Sequence, residues 1–226
     1  MNKQSKKGIE WCTHTWTPLV GCKRGCSYCY GKTLNNRFGW IKDWEEPQFY
    51  PERLIEPSKL KKPSTIFVCS MAELFGSWVP DAYIHQIIEV AIACSQHQFM
   101  FLTKNPRKMR KFIFPDNAWV GITIEDQKAA NERTKWFKPN YAKHKFISFE
   151  PLLGPVDVDL TGIDLVIIGA QTKPDKIPAA EWVERLCEKA MMANARICLK
   201  SNLKESAKSI AAQVKVYNDT KTLIGR

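Results

Sequence analysis

The sequence lacks any long apolar segment. None of its hydrophobic runs approaches the roughly 18 residues that a membrane span requires, although 44% of its 226 residues are hydrophobic. No charged-then-apolar leader opens it. We therefore expect a cytoplasmic protein without a membrane segment, in a compartment that keeps cysteines reduced. Internal repeats and low-complexity stretches are also missing, which favours one large domain.

Acidic residues are few relative to basic ones. The chain has 34 Lys and Arg against 23 Asp and Glu, which gives a formal net charge of +11. A field of this sign attracts polyanions. Residues 104–111 alone carry five positive charges. No recognised nucleic-acid-binding motif accompanies them, so nucleic acid is a possible partner, and a basic surface that only aids solubility is the alternative.

The eight cysteines are scattered and no apolar signal segment precedes them, which argues against a disulfide framework. No second C-x2-C pair appears, which argues against a zinc site. Three of them, Cys22, Cys26 and Cys29, share the glycine-rich residues 21–30 in the spacing C-x3-C-x2-C. Structural zinc and ordinary iron–sulfur sites use four protein ligands, whereas three thiolates leave one metal position open for a small molecule. The spacing favours such an open site. A zinc site completed by Cys12 or His14 is the alternative.

Apolar runs alternate with helical patterns along the chain. These patterns predict helices near residues 81–95, 106–112, 127–137 and 179–193, of which the second is basic. Strands are predicted at residues 9–20, 65–69, 99–102, 118–122, 145–149, 164–168 and 196–199. Continuous apolar strands between helices indicate a parallel sheet covered by helices. Seven strands fall short of a closed eight-stranded barrel, so the fold class predicted is α/β, a partial (βα)6–7 TIM-type barrel with the cysteine loop after the first strand. We assign residues 1–8 to a flexible basic arm, 9–203 to the barrel, and 204–226 to a basic helix or strand extension.

The cysteine loop, with Tyr28 before its third cysteine, resembles the cluster motif of the radical S-adenosylmethionine (SAM) superfamily. Together with residues 16–22, 70–75, 102–106, 124–127 and 149–155, it resembles a small, largely uncharacterised, phage-associated radical SAM family. The resemblance covers roughly residues 8–202. It implies a [4Fe–4S] cluster on the three cysteines, with SAM bound at the open iron.

The activity that the resemblance implies is that of a radical SAM enzyme. One electron from an external reductant of the ferredoxin or flavodoxin type cleaves SAM to a 5′-deoxyadenosyl radical, which abstracts a hydrogen atom from the substrate. Nucleic acid or a nucleotide is the favoured substrate, and a peptide or small metabolite is the next. A non-catalytic zinc or iron–sulfur protein that binds nucleic acid is the rival hypothesis.

Barrel active sites lie at the carboxyl ends of the strands. The resemblance implies that Ser70 and Glu73, after the second predicted strand, bind the SAM amine, and that Thr123, Glu125 and Arg133 bind its ribose and carboxylate. A surface ion pair of Arg133 with a neighbouring helix acid is an equal alternative. Cys69 and Cys12 are expected to be core or strand residues.

Overall fold

A computed structural model describes residues 1–5, 8–137 and 142–224. The chain is a mixed α/β protein with one large sheet. It divides into two compact units, Met1–Val120 with residues 140–143, and Gly121–Pro139 with His144–Arg226.

The first unit contains the strands and helices that precede and follow the cysteine loop. In chain order they are β1 (Asn2–Lys3), β2 (His14–Trp16), β3 (Leu19–Val20), α1 (Tyr30–Phe38), β4 (Gln48–Phe49), β5 (Thr65–Val68), α2 (Asp81–Ala93), β6 (Gln98–Thr103), α3 (Pro106–Met109) and β7 (Ala118–Thr123), which continues into the second unit. Two short 3-10 helices, Pro51–Arg53 and Pro57–Lys59, begin with proline. Proline suits a first helical turn because it fixes φ and its missing N–H has no partner to lose there.

The core of the first unit includes buried residues of β2, β5, β6 and the helix α2. Trp16, Ile66 and Phe99 are fully buried, and the Trp16 and Phe99 rings meet edge to face at 5.9 Å. In α2, Ile84, Ile87 and Ile88 recur at helical spacing and are buried. Their period of three to four residues explains why this segment is a helix with one apolar face.

The second unit contains α4 (Gln127–Arg133), β8 (His144–Phe149), β9 (Leu165–Ile168), β10 (Gln171–Thr172), β11 (Asp175–Lys176), α5 (Ala180–Met192), β12 (Arg196–Leu199) and α6 (Ala211–Ile224). Its 3-10 helices are Thr134–Trp136 and Ser201–Ala207. The described part of residues 204–226 is thus helical apart from a turn at residues 208–210. Val183 and Leu186 of α5 are fully buried. Gly121 makes room for a neighbouring ring, because a Cβ there would lie 2.5 Å from Phe146.

The sheet has eight strands in the order β1-β2-β5-β6-β7-β8-β9-β12. β1 is antiparallel to β2, whereas β2–β5, β5–β6, β8–β9 and β9–β12 are parallel pairs. The predicted α/β class with a parallel sheet is therefore confirmed. Within the described ranges the sheet is not closed into a barrel.

Two local predictions differ from the structure. The first predicted strand is broken into β2 and β3, and β3 pairs with β4 in a small sheet of its own. The intervening Pro18 has no N–H to donate to a ladder, and its carbonyl accepts a hydrogen bond from Tyr50 N at 2.7 Å. The predicted basic helix after β6 is only the single turn of α3.

No helix in the described part of the chain is long and apolar enough to cross a membrane.

Candidate functional site

The cysteine loop leaves the short strand β3 and ends at helix α1. Gly21 forms an isolated parallel bridge with Ala72, and Cys22 N donates to Trp44 O at 2.8 Å. Gly25 takes a left-handed conformation with φ 68°, which glycine adopts without steric cost. Cys29 is the N-cap of α1. The loop is thus anchored at both ends and turns at a glycine between them.

Backbone N–H groups are directed at two of the three sulfurs. Arg24 N donates to Cys22 Sγ at 3.4 Å, and Lys32 N donates to Cys29 Sγ at 3.3 Å. All three thiols, including that of Cys26, are free of disulfides and half-buried. Hydrogen bonds to sulfur tune iron–sulfur sites, and a capping sulfur at a helix N-terminus is held in a positive potential.

The three thiols are not gathered in the structure. Among the described residues, no group of three or more His, Cys, Asp or Glu side chains is arranged so that it could hold a metal ion. Burial raises the pKa of the Cys22 thiol to about 11, so this group is protonated at neutral pH without a metal. The three thiols share one loop and two of them accept backbone N–H hydrogen bonds, so binding of a cluster would have to draw the three sulfurs together.

One cationic residue within the cysteine loop, Arg24, contacts a second one outside it, Lys104. The Arg24 guanidinium donates to the carbonyl of Lys104 at 2.8 Å, and the Lys104 ammonium lies 5.5 Å from the centre of the Tyr28 ring. Tyr30, at the start of α1, donates its hydroxyl hydrogen to Ser70 O. The loop is therefore joined to the carboxyl ends of β5 and β6 by side chains from within the cysteine motif.

Glu73 holds the ends of β5 and β6 together. Its carboxylate accepts hydrogen bonds from Thr103 Oγ1 at 2.5 Å, from Lys104 N at 2.8 Å and from Phe75 N at 3.3 Å. The side chain is buried, with 7% of its surface exposed. Three donors from the protein thus engage both oxygens of the residue that was predicted to bind the SAM amine.

The remaining cysteines near the loop have separate surroundings. The Cys12 thiol donates to Ile9 O at 3.7 Å, in the turn before β2. Cys69 is buried directly after β5 with φ 56°, and burial raises its pKa to about 12.

Two other residues named from the sequence have hydroxyl neighbours. The Ser70 hydroxyl lies 3.4 Å from the Thr17 hydroxyl. His14 Nδ1 is 3.0 Å from Thr13 Oγ1.

The second unit brings Thr123, Glu125 and Arg133 together. An Arg133 guanidinium nitrogen donates to Glu125 Oε2 and to Thr123 O, both at 2.5 Å. The pair is nearly buried, with 14% of the Arg133 side chain and 8% of the Glu125 side chain exposed. Arg133 ends α4, whose N-cap Asp126 accepts from Ala129 N at 2.8 Å. The partner of Arg133 is therefore Glu125, and not the helix acids Asp126 or Glu132.

A second ion pair lies at the ends of β8 and β12. Lys200 Nζ is 3.0 Å from Glu150 Oε1, and Ser148 Oγ donates to the same carboxylate at 3.3 Å. Gly169 leaves room for the pair, since a Cβ there would lie 2.8 Å from Glu150 Cγ. Asn202 donates to Ala170 O and accepts from Ala170 N.

These features define an α/β protein with a three-cysteine loop and polar side chains at the carboxyl ends of its parallel strands. Over residues 6–220 the chain matches the model of a protein family of unknown function, DUF5131, and it belongs to that family. No curated protein matches it. No solved structure matches it.

This result corrects the family assignment made from sequence resemblance. The chain belongs to DUF5131, so its assignment to the radical SAM superfamily, and to a phage-associated branch of it, is wrong. The spacing C-x3-C-x2-C indicates only that three thiols share a short loop. Such a loop specifies a set of donor atoms and does not by itself specify an ancestry.

Several contacts within each unit were not predicted. The Glu73–Thr103–Lys104 hydrogen bonds, the Arg24–Lys104 contact and the Glu150–Lys200 pair join residues that are far apart in sequence. Each of these residues lies in the cysteine loop or at a strand end, and that position was the signal that could have found them.

Proposed function

We propose that the protein is an iron–sulfur enzyme that binds a [4Fe–4S] cluster through Cys22, Cys26 and Cys29 and cleaves S-adenosylmethionine at the open iron. The observation that carries the proposal is the loop itself, whose three free thiols are half-buried, two of them with a backbone N–H directed at sulfur. When bound, the cluster would supply the one electron that breaks the sulfonium sulfur–carbon bond of SAM, which would give methionine and a 5′-deoxyadenosyl radical that abstracts a hydrogen atom from the substrate.

In this proposal the protein holds the cluster and shields it. Val20, Ile41 and Trp44 form a buried apolar cluster against which Cys22 and Cys29 pack. An apolar shell limits solvent access and so influences the potential of a metal site. The Arg24 guanidinium and the Lys104 ammonium offset the negative charge of the thiolates.

The cofactor contacts are assigned within each unit separately. Ser70 lies next to the cysteine loop through the Tyr30 hydroxyl. Glu73 contributes by positioning Lys104, because its own oxygens are engaged by three donors. Thr123, Glu125 and Arg133 form one cluster, in which a guanidinium suited to carboxylate recognition is held in place by an acid.

The proposal also covers the setting in which the enzyme works. A one-electron reductant of the ferredoxin or flavodoxin type supplies the electron, and a cytoplasmic location keeps the thiols reduced. We propose that the sheet curves into a partial (βα)6–7 barrel, because such a barrel collects strand ends around one cavity. A nucleic acid or nucleotide is the favoured substrate and a peptide or small metabolite the next, since the chain carries a net charge of +11.

Metal analysis after anaerobic purification tests the proposal. The wild-type protein should be brown and contain about four iron and four sulfide per chain. Cys22→Ala, Cys26→Ala and Cys29→Ala should each lose the iron and its absorption. Cys12→Ala is the matched control and should retain both, because the Cys12 thiol is engaged with Ile9 O.

Two outcomes would contradict the proposal. A colourless protein with one zinc per chain would indicate the non-catalytic, zinc-binding alternative. Loss of iron in Cys12→Ala would show that a fourth thiol closes the site and that no iron is open to SAM.

A further inference from the structure

Residues 41–44, which we call the cover, follow helix α1 and pack back onto the cysteine loop within the first unit. Ile41 and Trp44 of the cover are buried, with 4% and 7% of their surfaces exposed. Both belong to the apolar cluster against which Cys22 and Cys29 pack. The cover therefore lies against two of the three cysteines of the loop.

A glycine on each side of the three cysteines makes room for the cover. A Cβ at Gly21, directly before the first cysteine, would lie 2.8 Å from Ile41 Cδ1 and 2.9 Å from Trp44 O. A Cβ at Gly31, two residues after the third cysteine, would lie 2.8 Å from Trp44 Cη2. Close-packed interiors do not tolerate contacts this short, so the cover occupies space that only glycine leaves open at both flanks of the loop.

Asn35 of helix α1 holds the cover in this position. Asn35 is buried, with 5% of its surface exposed. Its amide nitrogen donates to Ile41 O and its amide oxygen accepts from Ile41 N, both at 3.0 Å. Its own carbonyl accepts from Gly39 N at 2.7 Å, where the chain leaves the helix with a left-handed φ of 63°. A buried amide that is paired through both its nitrogen and its oxygen specifies a single arrangement of the groups it joins.

We propose that Asn35 is a positioning residue of the cysteine loop, which fixes the cover and thereby limits solvent access to Cys22 and Cys29. Cys26 is not among the described residues that pack against the apolar cluster, so Asn35 does not act on it. An apolar shell that controls solvent access also influences the potential of a metal centre. The inference deepens the proposed function, on which it rests for this last consequence, whereas the packing itself requires no cluster.

Alkylation of the full-length, metal-free protein with iodoacetamide, followed at each cysteine by mass spectrometry, tests the inference. In Asn35→Ala, Cys22 and Cys29 should react roughly tenfold faster than in the wild-type protein, because two buried hydrogen bonds no longer oppose opening of the cover. The rate at Cys26 should not change. Asn36→Ala is the matched control, since Asn36 is the next residue of α1 and is exposed, and all three rates should remain those of the wild-type protein.

Two further measurements separate opening of the cover from loss of the fold. Cys94 and Cys187 are buried, so their alkylation reports global unfolding and should remain at the wild-type rates in Asn35→Ala. Gly31→Ala is a second variant that replaces a helical glycine with a better helix former. Its Cβ would nevertheless displace the Trp44 ring, so Cys29 should again react faster, in a variant whose helix is not weakened.

Equal rates at Cys22 and Cys29 in Asn35→Ala and in the wild-type protein would overturn the inference. A matching rise at Cys94 and Cys187 would do so as well, because it would assign Asn35 to the stability of the whole chain.

Iron is measured separately on protein purified without air. If the wild-type protein holds iron, Asn35→Ala should lose it faster on exposure to air, and equal loss would contradict the shielding of the cluster. A wild-type protein that binds no iron would refute the proposed chemistry, and the alkylation rates would still decide the role of Asn35.

Discussion

Glu73 shows how one carboxylate can fix the geometry beside the cysteine loop. Its two oxygens accept hydrogen bonds from Phe75 N, the Thr103 hydroxyl and Lys104 N. The Lys104 carbonyl in turn accepts from Arg24 of the loop. Because the carboxylate is buried, these bonds are costly to lose. Glu73 is therefore a positioning residue for the cationic side of the site.

Glu73→Gln should destabilise the protein by about 1–3 kcal/mol. The amide has the same shape but replaces one acceptor oxygen with a donor, which then faces N–H or O–H groups. Urea denaturation measures the change. In the same variant we expect lower iron incorporation, because Lys104 and Arg24 lose their support.

Glu45→Gln is the control for this substitution. Glu45 is exposed and forms a surface pair with Lys32 at 3.3 Å, so its loss should change stability by less than about 0.5 kcal/mol. If Glu73→Gln and Glu45→Gln were equally stable, the Glu73 hydrogen bonds would contribute nothing to the free energy of unfolding.

The residues of the site were easier to predict than their partners. Cys22, Cys26 and Cys29 could be singled out because a local spacing carries their signal. Two of the three partners of Glu73, Thr103 and Lys104, lie 30 and 31 positions later in the chain, and no local pattern encodes such a contact. The sequence therefore predicted that Glu73 lies at a strand end, and could not predict that protein groups already engage it.

At the scale of elements, the basic segment 104–111 is not a uniformly exposed helix face. It contains the single turn α3, in which Lys108 is buried. Lys108 Nζ donates to Gly76 O at 3.0 Å and to Val79 O, and lies 3.1 Å from Asp81 Oδ1. Lys108 therefore ties α3 to the turn that precedes α2, and its ammonium does not face a polyanion at the surface.

Lys108→Met should destabilise the protein by about 2 kcal/mol, because it leaves the carbonyls of Gly76 and Val79 without a donor. Asp81 adds little to this figure, since its side chain is 55% exposed. Lys111→Met is the matched control in the same segment; Lys111 is exposed, and its substitution should be nearly neutral. The measurement is the midpoint of thermal or urea unfolding. A neutral Lys108→Met would contradict the structural role.

The type of the main helices and strands could be predicted from the sequence. Helix α2 was predicted because Ile84, Ile87 and Ile88 share one face, and β9 because its apolar run is continuous. The break between β2 and β3 was missed, although Pro18 marks it. Hydrophobic periodicity is recognised over several residues, so a two-residue strand such as β3 is too short to produce a recognisable pattern.

At the scale of the whole molecule, the parallel character of the sheet was predictable and its curvature was not. Strands buried on both faces are apolar throughout, and this pattern distinguishes them from half-exposed antiparallel strands. Whether a sheet closes depends on strand tilt and stagger, and neither has a local sequence signature. The eight-stranded open order could therefore be stated only from the structure.

The net charge of the molecule and the charge of one segment predict different ways of binding nucleic acid. A net charge of +11 attracts a polyanion to the whole molecule, whereas a binding surface at residues 104–111 requires specific phosphate contacts. The exposed cations of this segment are Arg107, Arg110 and Lys111. Lys108 is left intact in any test, since its removal would disturb the fold.

Neutralising Arg107, Arg110 and Lys111 together to glutamine should weaken the binding of single-stranded RNA or DNA. The slope of log affinity against log salt should fall by roughly 0.7 for each phosphate that the variant no longer neutralises. Lys59, Lys61 and Lys62, also exposed, provide a control triple variant with the same change in net charge, and its slope should remain that of the wild-type protein. Equal slopes in the two triple variants would assign the attraction to the overall field alone. Absence of binding at low salt would remove nucleic acid as a partner and favour a peptide or small metabolite.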